Sequence, residues 1–136
     1  MARTVSSSPS SSAVDRTRSR LEALARSLPD AWEDHPWDER VFKVNRKIFL
    51  FLTEAPIEDL GLSVTVKLPE SSEEALTFAF TSPTGYGLGR AGWVTARFSA
   101  RARPPVGILA DWVDESYRAV ALKRQVAELD RRQAEA

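Results

Sequence analysis

The chain contains no cysteine, and that absence excludes more chemistry than any other single feature. Disulfides, thiolate nucleophiles and cysteine-rich zinc sites are all ruled out, and the composition fits an intracellular protein. Histidine is almost as scarce, since His35 is the only one. With one imidazole and no thiol, nucleophilic catalysis would need a serine or lysine activated by a partner that the sequence does not display. No apolar run approaches the roughly 20 residues of a membrane span, and no apolar stretch follows the N-terminus as in a secretory signal. Excess charge of one sign is missing too: Lys and Arg total 19, matching 19 Asp and Glu. A global polycation that grips nucleic acid is therefore excluded, and any charge argument must be local. These absences describe a cytoplasmic, non-enzymatic protein with no membrane segment and no implied cofactor or metal. At 136 residues it is long enough to bury one core.

What is present is organised around the stretch from Val41 to Leu52. It reads as a β-hairpin: a short apolar run, a polar Asn45-Arg46-Lys47 corner, then the apolar residues Ile48 to Leu52. Strict alternation sends Ile48, Leu50 and Leu52 to one face and Phe49 and Phe51 to the other. Both faces of the second strand are then apolar, which makes it a central strand.

The flanking segments carry clear periods. Residues 1–12 are Ser-rich and read as a disordered leader, 13–129 as a single domain, and 130–136 as a charged tail. Ser12 stands at cap-like spacing before Asp15. Val14, Leu21, Leu24, Ala25 and Leu28 then share a helical face that ends at Pro29. Ala31 to Asp34 reads as a short first strand. Leu62, Val64 and Val66 alternate with Ser63, Thr65 and Lys67, as Val94, Ala96 and Phe98 do with Trp93, Thr95, Arg97 and Ser99. Ser71 and Glu74 have capping-box spacing for a short helix through Ala79. Thr81 to Gly92 reads as a long flexible loop. Leu109, Trp112, Val113, Ser116, Tyr117, Val120 and Ala121 step by three and four in a last helix that runs on to about Leu129. The fold class is α+β: an antiparallel sheet of about five strands, with the N-terminal and C-terminal helices packed on one face.

Three local features invite chemistry and have simpler readings. His35 lies among carboxylates, but the spacing matches no metal-ligand motif; a solvated loop with a tryptophan anchored in the core accounts for it. Gly85-Tyr86-Gly87-Leu88-Gly89 lacks the strand–loop–helix context and the Gly-Lys-Ser/Thr ending of a phosphate cradle. Ser116 and Tyr117 sit on the apolar stripe of the last helix. There, a packed tyrosine bonding the sheet and a small serine contact explain both.

The runs Phe42-Lys43-Val44-Asn45-Arg46-Lys47-Ile48-Phe49 and Leu62-Ser63-Val64-Thr65-Val66-Lys67-Leu68, with Gly92-Trp93-Val94 and Ser116-Tyr117, resemble the MmcQ/YjbR family. The resemblance spans Leu21 to Ala121. It implies a frataxin-like (CyaY-like) α+β fold and a DNA-binding role through a double-wing surface. Lys47 matches the lysine opening the family's central strand, and Lys67 the one ending the next strand. The chain departs from the family at Asn45-Arg46, where Asn-Gly is usual. It departs again before Trp93, where Arg90 stands in a glycine-rich loop in place of a His/Asn/Lys-type run.

Alternation adds a separate argument. If helices cover one face of the sheet, the other collects Ser63, Thr65, Lys67, Trp93, Thr95 and Arg97, together with Lys47, Phe49 and Phe51. Lys43, Arg46 and Lys47 gather at the hairpin corner, and Arg90, Arg97, Arg101 and Arg103 follow one another with no acid between them. Cations interleaved with rings suit phosphates and bases. The candidate nucleic-acid-binding residues are therefore Lys43, Arg46, Lys47, Lys67, Arg90, Trp93, Arg97 and Arg101, with duplex DNA as partner. The same face equally suits a homodimer or another protein contact.

Overall fold

The computed structural model describes residues 12–36, 39–53, 60–85 and 87–136. Six antiparallel strands form one sheet: β1 (Ala31–Asp34), β2 (Arg40–Val44), β3 (Lys47–Thr53), β4 (Leu60–Lys67), β5 (Thr81–Pro83) and β6 (Trp93–Ser99). Their spatial order is β1-β2-β3-β4-β6-β5, so the hairpin strand β3 is central. Among the described residues four α-helices accompany them: α1 (Ala13–Ser27), α2 (Ser72–Ala75), α3 (Val106–Val120) and α4 (Lys123–Glu135). None is long and apolar enough to cross a membrane.

Helix α1 begins where Ser12 accepts a hydrogen bond from the Asp15 N–H at 3.1 Å. Its buried face is Val14, Thr17, Leu21 and Ala25. Helix α3 buries Leu109, Trp112, Val113, Ser116 and Tyr117. Both meet one face of the sheet, where Phe42, Val44, Leu50, Leu52, Val64, Val66, Val94 and Ala96 complete the core.

Five expectations need correction. First, β3 does not alternate strictly. Phe42 pairs with Leu50 but Lys43 pairs with Ile48, so Phe49 is an extra, bulged residue. The bulge turns Phe49 inward, where its ring meets Tyr117 edge-on at 5.4 Å, and sends Ile48 outward opposite Lys43. Lys47 pairs with the buried Val44 and so lies on the helix side of the sheet. Second, Thr81 to Pro83 is an edge strand, not loop. Pro83, which has no N–H to donate, is tolerated at that margin. Third, α2 is one turn long and Ser71 makes no side-chain cap; Glu115 on α3 instead accepts the N–H groups of Glu70 and Ser71.

Fourth, the last helix breaks at Ala121 and Leu122, which are extended, before α4 resumes to Glu135. Fifth, Trp32 is not in the core. It stands on the outer face, 44% exposed, with the Lys43 ammonium 5.1 Å from its ring. The other tryptophan of that segment, Trp37, lies outside the described residues, as does the Ser-rich leader over 1–11.

At the second irregularity of the sheet, β4 shifts register between Leu60 and Leu62. A Cβ on the intervening Gly61 would lie 2.6 Å from the Cα of Ala100, a backbone atom that cannot swing away. The Gly61 carbonyl also accepts from Arg18 at 2.7 Å. Gly61→Ala is therefore expected to wedge β4 from the chain after β6 and cost about 1–3 kcal/mol, read as a lower urea midpoint.

Candidate nucleic-acid interface

The face of the sheet turned away from α1 and α3 is crossed by rows of side chains set by the strand register. One row carries Trp32, Lys43 and Ile48, and beyond the bulge Lys67 opposite Trp93. The next carries Val41, Phe51, Thr65, Thr95 and Ser82; the last has Thr53, Ser63 and Arg97. Phe51 and Trp93 meet edge-on at 5.8 Å, which joins the first two rows.

Of the eight residues expected to bind nucleic acid, Lys43, Lys67, Trp93 and Arg97 share this face. Arg46 is exposed at the hairpin turn and Lys47 sits beside it on the helix side. Arg90 is exposed in a 3-10 turn, Leu88–Ala91. Arg101 is carried past the end of β6 to a hollow shared with Ser12 and Arg16, away from the others. The charges also differ in availability. Lys43 is paired with Asp34 at 2.7 Å, and that hydrogen bond holds the Asp34 carboxyl below its usual range. Among the described residues Lys67, Arg90 and Arg97 form no ion pair. The carboxylates of α1 and α4, by contrast, are taken up by arginines, as in Asp15–Arg18 and Glu128–Arg131. Strand geometry puts Lys67 and Arg97 about 14 Å apart and Lys43 about 10 Å from Lys67.

The two rows beyond Trp93 lie at the bottom of a recess of about 510 Å³. Ser63 and Thr65 are each only 9% exposed and Thr95 5%, although among the described residues no α-helix lies over this face of their strands. Thr84, Gly85 and Leu88, which follow β5, stand over them as a wall, and Glu39 and Arg97 complete the rim. Thr95 bonds both Thr65 and Thr84 at 2.9 Å, so three hydroxyls form a chain. Alternation had already assigned Ser63, Thr65 and Thr95 to this face. The depth comes from β5 and the turn after it, which carry no periodic signal in the sequence.

The remaining chemistry-bearing groups are structural. The Ser116 hydroxyl is buried and fully used: it donates to the Phe49 carbonyl at 2.5 Å and accepts from the Lys67 N–H at 2.8 Å. Tyr117 donates to the Pro29 carbonyl at 2.7 Å, and burial pushes its phenol up to about 12. The sheet contact thus belongs to the serine, and the tyrosine holds the turn before β1. His35 bonds Glu33 at 2.6 Å on the surface, while Arg26 takes the other oxygen of that carboxylate. Among the described residues no three His, Asp or Glu side chains converge as metal ligands.

An open antiparallel sheet with helices on one face, a bulged central strand and a Ser-Tyr pair bracing it define a small α+β domain class. The YjbR family profile matches residues 26–119, and the chain belongs to that family. The fold is similar to the crystal structure of Deinococcus radiodurans protein DR2400, a DUF419 domain. The TM-score is 0.63 at 25% identity, over 82% of this chain and 86% of that one. No curated protein sequence matches.

Proposed function

We propose that the protein is a non-enzymatic DNA-binding protein that lays the nucleic acid across the outer face of its sheet. One observation carries this reading: Lys43, Lys67 and Arg97 occupy that face with Phe51 and Trp93 among them and Trp32 beside Lys43 at the sheet edge. Separations of about 10–14 Å are too wide for one small anion and suit a polyanion. The rings offer flat surfaces to bases, which stack on aromatics without regard to sequence. Arg46 at the hairpin turn and Arg90 beside the recess extend the cationic margin on either side.

Filter binding with duplex and single-stranded DNA across a salt series tests it. Three phosphate contacts give a log–log slope near −2.7 on duplex, a loss of about 40-fold between 50 and 200 mM salt. Arg97→Ala should reduce the slope by about 0.9. Binding that is absent or insensitive to salt overturns the reading. A solution mass near twice 15.1 kDa, reduced by charging Phe51, would instead assign the face to self-association.

A further inference from the structure

We infer that the recess over β3, β4 and β6 is a pocket for one unpaired nucleotide. The nucleobase would lie against Phe51, with its polar edge on the Ser63, Thr65 and Thr95 hydroxyls and its phosphate at Arg97. This rests on the DNA-binding reading and assigns the deepest part of that same face.

Two independent observations support it. The first is shape and chemistry. A volume of about 510 Å³ is in the range of small-ligand pockets. One wall is the Phe51 ring, Thr84, Gly85 and Leu88 line the opposite side, and the floor carries the Ser63, Thr65 and Thr95 hydroxyls. Hydroxyls both donate and accept, which suits the mixed edge of a base. The second is an available hydroxyl. Ser63 lines the recess, and its hydroxyl, which is not sealed from the recess, has no hydrogen-bond partner among the described residues. A hydroxyl that reaches the recess without a protein partner is open to bond a ligand that enters it. Arg97 is exposed at the rim; its guanidinium donates to Ser82 Oγ at 3.3 Å and forms no ion pair among the described residues, so it is available to a phosphate. Gly85 is part of the wall and does not cradle the phosphate, in line with the lack of a following α-helix.

The experiment is titration of the full chain with 2′-deoxyadenosine and thymidine 5′-monophosphates, followed by backbone amide NMR shifts. The expected result is perturbation confined to the recess: Phe51, Ser63, Thr65, Thr84, Thr95 and Arg97. Ser63→Ala removes a hydroxyl that has no partner among the described residues, so it should leave the thermal midpoint unchanged and weaken nucleotide binding about fivefold. Ser63→Leu fills the recess and should abolish nucleotide binding while duplex DNA keeps its salt slope. Duplex binding with no mononucleotide response in the recess, or a response that Ser63→Ala does not weaken, overturns the pocket and leaves the surface reading intact. Nucleotide binding in the recess without any duplex binding keeps the pocket and overturns the surface reading.

Discussion

Ser116→Ala is expected to lower the stability of the protein by about 3 kcal/mol and its thermal midpoint by about 10 °C. The bulge at Phe49 breaks the ladder between β3 and β4, whose last register pair on that side is Leu50 with Val66. The Phe49 carbonyl and the Lys67 N–H therefore lose the partners that a regular ladder would give them. One hydroxyl from α3 serves both. Alanine leaves a buried acceptor and a donor unpaired, and each such group costs about 1–3 kcal/mol. Urea unfolding with an unchanged m-value, together with faster amide exchange at Lys67, checks this. A midpoint within 2 °C of wild type would show, on the scale of about 4 °C per kcal/mol for a domain of this size, that the bridge contributes nothing.

Gln125→Leu should cost about 2–3 kcal/mol and free α4 ahead of the rest of the domain. A side-chain amide can make four hydrogen bonds, and Gln125, which is buried, makes all four. Its nitrogen donates to Asp30 and Asn45 at 3.1 Å each; its oxygen accepts from Asn45 at 3.1 Å and from the Leu122 N–H at 2.9 Å. Asp30 and Asn45 are the two non-glycine residues with positive φ among the described ones, both at 59°. The single amide thus pins two turns in a sparsely populated conformation and starts the final helix. Hydrogen exchange should show protection lost over α4 and at both turns before the sheet opens. If α4 exchanges only with global unfolding, the latch is no separate unit.

The clamp also explains where the sequence could be read and where it could not. Alternation in β4 and β6 is legible because one face of each is apolar and the other carries hydroxyls and cations, so the phase cannot be mistaken. In β3 five apolar residues run together, and a bulge within them leaves no trace in the pattern. The phase therefore slips at Phe49, carrying Lys47 and Ile48 to the faces opposite those expected. The break at Ala121-Leu122 contains no glycine or proline; a contact from Gln125 to residues far away in the chain enforces it. The capping-box spacing of Ser71 and Glu74 predicted a real helix start but the wrong cap, because Glu115 reaches the same N–H groups from α3. As for the interface, its residue types were legible and its depth was not. Depth depends on β5, three residues long and hidden by its own proline.

That brevity has a consequence for crowded conditions. A sheet grows by recruiting a neighbour along an unpaired margin, and here both margins are poor templates. β5 offers three residues and closes on Pro83; β1 offers four, two of them carboxylates held by Arg26 and Lys43. Short, charged and proline-ended edges therefore disfavour side-by-side stacking of copies into fibrils.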